Sequence, residues 1–196
     1  MCSNQKFRSL SHPFTFLLTM TTTIAKKLKK IKLLATDVDG VLTDAGAYYS
    51  EEGVELKKFN IRDGMGIVLL RKAGYKVAIV TTENTKIVEK RAQRMMVDDL
   101  YQGVYNKMIA MEELRAKYQM DWSEIAFIGD DVNDLEVLKK AGLACVPSDA
   151  MPVNKKIADV ITKNPGGLGC VREVCDMILA QEYKGEKISA LWLKKV

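Results

Sequence analysis

Two aspartates, Asp37 and Asp39, close an apolar run in "LLATDVDGVLTD" (33–44), and Asp44 follows in the same stretch. On extended chain, side chains two residues apart point to the same side, so Asp37 and Asp39 face one crevice. A second apolar run ends in "GDDVND" (129–134), which supplies Asp130, Asp131 and Asp134. Carboxylates gathered at one crevice repel each other and lose ionisation unless a cation sits among them. The single histidine is His12, and the cysteines (Cys2, Cys145, Cys170, Cys175) show no CxxC spacing. The donor set therefore suits a hard, oxygen-ligated ion, Mg2+. Thr81, ending "YKVAIVT" (75–81), and Lys107, at the head of "NKMIAMEELRAKY" (106–118), add a hydroxyl and an ammonium. Metal, cation and hydrogen-bond donor are what phosphoryl transfer needs around the equatorial oxygens of phosphorus.

The elements carrying these groups must bring them together. "IKLLAT" (31–36), "YKVAIVT" (75–81), "SEIAFIG" (123–129) and "GLACVP" (142–147) read as buried strands, short and bounded by turn residues. Between them, residues 63–74, 84–96, 106–118 and 133–142 have helical periodicity, two of these stretches ending in Ala-Gly stops. Such alternation predicts an α/β fold: a doubly wound, Rossmann-like parallel sheet with helices on both faces and no cap domain. Ligands of such sheets bind at the carboxyl ends of the strands, the edge to which both acid clusters, Thr81, Thr82 and Lys107 are delivered. "GAYYSEEGVELKKFN" (46–60) alternates around "SEEG" and predicts a β-hairpin inserted after the first strand, as a surface hairpin, a flap or an oligomer contact.

A chain of 196 residues, 47% hydrophobic and 28% charged, suits one soluble domain. Its net charge of +5 is unevenly placed. Residues 1–32 hold seven basic side chains and no acid, which leaves 23 basic and 25 acidic residues beyond them. A near-neutral body gives no basis for nucleic-acid binding. Without a histidine in that body, Ser-His and Cys-His nucleophiles are excluded. Unpaired cysteine spacing fits reduced thiols and a cytoplasmic setting. The patch Phe14–Leu18 is too short to span a membrane. The expected organisation is an unstructured leader (1–29) with Met20 as functional start, one domain (30–182) and a C-terminal tail (183–196).

The four motifs, in this order at strand ends, resemble those of the haloacid dehalogenase superfamily of phosphatases. "DVDGVLTD" is similar to its first motif, Thr81 stands at the second, Lys107 at the third and "GDDVND" at the fourth. "KKFNIRDGMGI" (57–67), "LYQGVYNK" (100–107) and "GGLGCVREV" (166–174) resemble the capless branch acting on phosphorylated ulosonic acids. That branch includes 3-deoxy-manno-octulosonate (KDO) 8-phosphate and nonulosonate 9-phosphate phosphatases. The resemblance implies Asp37 as nucleophile, forming an aspartyl-phosphate, and Asp39 as general acid–base. It implies Mg2+ held by Asp37, the Asp39 backbone carbonyl and Asp130, with Thr81 and Lys107 neutralising the transferring group. Asp134 would orient Lys107 or a metal-bound water, Asp131 would stand beside it, and Asp44 would be a structural hydrogen-bonder. It further implies a homotetramer in which the hairpin and residues 164–172 complete a neighbour's site, Gly167 and Arg172 among them.

Two other readings compete. A response-regulator receiver also gathers acids, Thr and Lys, but its phospho-acceptor follows the third strand, not the first. A catalytically silent module, like the domain appended to CMP-sialate synthetases, is the second; this chain keeps the carboxylates such a module can lose. For the substrate, Thr82 and Glu83 stand where the KDO-type pattern has Gly-Arg. An acid there, with Arg94 eleven residues later, resembles the nine-carbon branch. Arg62 and Asp63 in "NIRDGMG" are closer to the KDO branch. The expectation is a 2-keto-3-deoxy sugar acid phosphate, leaning to a nine-carbon one.

Overall fold

The computed structural model describes residues 22–183 and 186–194. Six parallel strands form one sheet: β1 (Leu33–Thr36), β4 (Lys76–Val80), β5 (Asp99–Tyr101), β6 (Ile125–Ile128), β7 (Leu143–Val146) and β8 (Val160–Ile161). The hairpin strands β2 (Tyr48–Tyr49) and β3 (Glu55–Leu56) stand apart from it. The order across the sheet is β5-β4-β1-β6-β7-β8. All residues of β1, β6 and β7 are buried, as expected of parallel strands covered on both faces.

Side-chain alternation divides the core in two. Leu34, Val77, Ile79, Ala126, Ile128 and Cys145 face one layer of helices: α2 (Ile61–Lys72), α3 (Lys86–Met95) and α7 (Cys170–Leu179). Leu33, Ala35, Ala78, Val80, Phe127 and Ala144 face the other: α4 (Lys107–Tyr118) and α5 (Leu135–Lys140). α2, α3 and α4 start on side-chain caps: Asn60 accepts from the Arg62 amide, Thr85 from that of Val88 and Asn106 from that of Met108. A four-residue helix, α6 (Pro152–Lys155), precedes β8.

The path from β1 to β4 runs to one side of the sheet, while β6 leads to β7 on the other. The topological switch point therefore lies between the carboxyl ends of β1 and β6, where α/β sheets form their crevices. Asp37 stands there: its amide donates to the Ile128 carbonyl at 2.9 Å, one step beyond the β1–β6 ladder.

The expectation of an unstructured leader needs correction in part. Residues 1–21 lie outside the described residues, but the rest of the supposedly unstructured leader holds a helix, α1 (Thr22–Leu28). Ile24 and Leu28, one turn apart, pack on the core, Leu28 only 1% exposed, and Lys27 pairs with Asp159 at 2.5 Å. Surrounding lysines mask that short apolar stripe in the sequence. The tail likewise contains a helix, α8 (Glu186–Leu193), with Leu191 buried and Ile188 against the core. Lys72 of α2 donates to the carbonyls of Trp192 and Lys194 and lies 5.3 Å from the Trp192 ring. Among the described residues no helix is long and apolar enough to cross a membrane.

Candidate active site

The chain leaves β1 through a tight loop: the amides of Val41, Leu42 and Thr43 all donate to the Val38 carbonyl. Gly40 turns it with φ +77°, and a Cβ there would lie 2.0 Å from Asp130 Oδ2. Bare backbone at position 40 is what lets Asp130 approach Asp37. Gly166 and Gly167 brace the loop from behind. A Cβ on Gly166 would meet the Gly40 carbonyl at 2.0 Å, and the Gly167 amide donates to the Val41 carbonyl at 2.9 Å.

At the centre Lys107, 2% exposed, reaches Asp37 Oδ2 and Asp134 Oδ1, both at 2.7 Å. Asp134 is fully buried; its Oδ2 accepts from the amides of Asp130 and Asp131 at 2.9 and 3.4 Å. Asp134 thus aims the ammonium at Asp37 while fixing the loop that presents Asp130. Burial opposes charge on Lys107, but Asp37 and Asp134 outweigh it and hold the ammonium firmly protonated. Asp37 is pushed up to about 7, first by burial and then by the Asp134 charge, against the pull of Lys107. Asp130 is pushed up to about 8, by burial and then by the charges of Asp37, Asp134 and Asp131.

Those shifts describe acids that cannot all ionise without another cation. One carboxylate oxygen from each of Asp37, Asp130 and Asp134 lies within 4.8 Å of the others. Three donors already occupy the two oxygens of Asp134, whereas Asp37 has one on each. Asp37 and Asp130 are therefore the pair with lone pairs to give, and an all-oxygen set of this charge fits a divalent metal ion.

Thr81 follows β4 at the same edge, buried, with its amide on the Tyr101 carbonyl. Its Oγ1 accepts from the Glu83 amide at 3.2 Å, which leaves its O–H to donate. Thr82 and Glu83, half-buried, continue along this edge. Asp39 is 35% exposed in its side chain, and its Oδ1 accepts from Thr43 Oγ1 at 3.1 Å and from Lys57 Nζ at 2.8 Å. Asp131 caps the turn Val132–Asp134 by accepting from the Val132 amide. Asp44 binds Gly46, Tyr48 and Lys58, clamping the base of the hairpin.

Other sequence-predicted residues have different partners. Asp63 is buried and accepts from the Arg172 amide at 2.7 Å at the start of α7, while the Arg172 side chain pairs with Asp176. Arg62 is exposed in the first turn of α2. Arg94 lies in the last turn of α3, at the far end of that helix from the crevice. Within this chain Asp37, Asp130 and Asp134 come together with Lys107, and Thr81 follows the neighbouring strand at the same edge. Asp39, in the turn after β1, stands outside that acid triad on Lys57 and Thr43, and Arg94 is not among them. Lys57 was not foreseen: "KK" in a hairpin reads as solvated charge, and only the inward turn of one lysine distinguishes it.

Residues 80–169 match the model of the haloacid dehalogenase-like hydrolase family. The 3-deoxy-D-manno-octulosonate 8-phosphate phosphatase of Escherichia coli K12 is 41% identical over 170 residues, 84% of this chain and 90% of that one. The crystal structure of the corresponding Yersinia pestis enzyme superposes with a TM-score of 0.81 at 39% identity, covering 86% of this chain and 89% of that one. The Moraxella catarrhalis enzyme, solved with magnesium, phosphate and KDO, gives 0.80 at 36% identity, covering 86% and 95%. Four motifs converging on one switch point, a sheet without a cap and relatives matched along nearly their whole length agree: the chain belongs to the haloacid dehalogenase superfamily, in its capless phosphatase branch.

Proposed function

We propose that this phosphatase hydrolyses a 2-keto-3-deoxy sugar acid phosphate, KDO 8-phosphate first, through a covalent intermediate on Asp37. The observation that carries the reading is the buried Asp37–Lys107–Asp134 arrangement at the switch point, with Asp130 opposite. Asp37 attacks phosphorus, the ester bond to the sugar oxygen breaks, and Asp39 gives that oxygen a proton. Asp39 then takes a proton from water, which attacks the aspartyl-phosphate and frees both phosphate and Asp37. Lys107 and the Thr81 hydroxyl neutralise the oxygens of the transferring group. Mg2+ would be held by Asp37, Asp130 and the Asp39 carbonyl, and when bound it supplies charge that lets the crowded acids ionise.

KDO 8-phosphate is put ahead of the nine-carbon substrate for two reasons. The relatives carry that name at two-fifths identity, and Arg94, part of the case for nine carbons, lies away from the crevice. A homotetramer is part of the proposal, supported by a hairpin that exposes Tyr48, Tyr49, Val54 and Leu56 beside a site without a cap. A cytoplasmic setting suits Cys145, Cys170 and Cys175, all free and buried. The test is kcat/KM for KDO 8-phosphate, a nonulosonate 9-phosphate and p-nitrophenyl phosphate, with and without Mg2+. We expect KDO 8-phosphate to lead by about tenfold or more, about 1.4 kcal/mol. A nine-carbon lead would reverse the substrate order, and a lead for p-nitrophenyl phosphate would refute the sugar acid assignment.

A further inference from the structure

Lys57 lies one residue beyond β3, on the limb by which the hairpin returns to the domain. Its neighbours face water: Leu56 is 59% exposed, and the Lys58 side chain 56%. The Lys57 side chain turns inward and is 8% exposed. An ammonium loses hydration when buried, and a lysine with nothing to hold would extend its head to solvent. Here the head has two anionic partners: Asp39 Oδ1 at 2.8 Å and Glu55 Oε1 at 3.2 Å. Those contacts outweigh burial and keep the ammonium charged.

The second donor to Asp39 belongs to the same clasp. Thr43 Oγ1 reaches that same Oδ1 at 3.1 Å, and Thr43 is joined to Phe59, two residues past Lys57, by an isolated antiparallel bridge. Both hydrogen bonds on Asp39 therefore depend on how the return limb lies against the β1 loop. From this geometry, and resting on the proton-transfer role given to Asp39 above, we propose that Lys57 is a positioning residue for that proton transfer. With Oδ1 held by Lys57 and Thr43, Oδ2 is the oxygen that exchanges the proton with the departing sugar oxygen. The hairpin, through Lys57, then governs a step of the reaction.

The leaving group separates this role from others. An alkyl ester departs as a strongly basic alkoxide and needs Asp39's proton as its P–O bond breaks; p-nitrophenolate is stable enough to leave without it. The experiment compares the unmutated full chain in Mg2+ with Lys57→Met, Lys57→Arg and, as a hairpin control, Lys58→Met. Leaving-group release is followed in single turnovers with KDO 8-phosphate and with p-nitrophenyl phosphate. We expect Lys57→Met to slow release from KDO 8-phosphate by about 10- to 100-fold. The p-nitrophenyl ester should change by less than about threefold, and Lys57→Arg should recover part of the loss. Lys58→Met, which loosens the hairpin base without touching Asp39, should not separate the two esters. Equal slowing of both esters would overturn the proposal in favour of a structural latch. So would a raised KM for the sugar acid at unchanged kcat, which marks a substrate-binding lysine. No change with either ester would also overturn it. Absence of turnover by the unmutated chain on both esters would sink the proposed reaction itself.

Discussion

Asp37→Asn removes the attacking oxygen while keeping its shape, and relieves rather than adds buried charge. We expect turnover to fall by roughly 10^4-fold or more, with no loss in melting temperature. Near-normal hydrolysis by the purified variant would refute Asp37 as nucleophile. The chemical set was legible in the sequence because acids that end apolar runs have few structural reasons to be there. Which acid does what was less legible. Asp131 and Asp134 look alike in "GDDVND", yet one caps a turn at the surface and the other lies buried beneath Lys107. That division follows from the angle at which the chain leaves β6, a property of the folded loop. Asp63 and Gly167 likewise have partners in other elements, beyond the reach of local pattern, whereas the Arg172 side chain pairs one turn along its own helix.

Elements were legible in proportion to their burial. The continuous apolar runs of β1, β4, β6 and β7 announce themselves, whereas β5 and β8 are three- and two-residue edge strands. β5 is only half-buried and carries Asp99 and Tyr101, so no period marks it. Its place is secured instead from the preceding residue, Asp98, whose side chain is 8% exposed. Arg71 of α2 binds both Asp98 oxygens, at 2.9 and 3.0 Å; Lys76 and the Val77 amide add bonds at 3.0 Å each. Burial alone would raise the Asp98 pKa, but these donors outweigh it and hold it below the usual carboxylate value. Its contribution is therefore complete above the unfolded pKa near 3.8 and is lost as pH falls through the lower folded value. Asp98→Asn should destabilise the chain by about 2–3 kcal/mol at neutral pH. The gap from the unmutated chain should begin to narrow below about pH 4, and urea titrations between pH 7 and pH 3 would read it. A gap that persists unchanged in acid would contradict the ionic origin.

At the scale of the whole molecule, the ends of the chain were the least legible part. α1 and α8 are short, their apolar residues are few, and both become helices by packing on the domain. Deleting residues 1–19 should leave melting temperature and turnover unchanged, since that stretch carries no acid and no helical periodicity in its sequence. Leu28→Ala, which empties a site 1% exposed, should cost about 2–4 kcal/mol. Light scattering checks the assembly: we expect a tetramer at working concentration, and a fully active monomer would rule out the proposed oligomer.

The central place of β1 in the sheet has a consequence for biosynthesis. Residue 33 emerges from the ribosome among the first of the domain, yet its hydrogen-bonded neighbours are residue 76 on one side and residue 125 on the other. One edge of this fully buried strand stays open until about two-thirds of the domain has been translated. The catalytic crevice, lying between β1 and β6, therefore cannot form before that most distant pairing. A nascent chain can hold half of the described helices and still have nowhere for a phosphate ester to bind, so a copy that ends before β6 carries no stray hydrolytic activity.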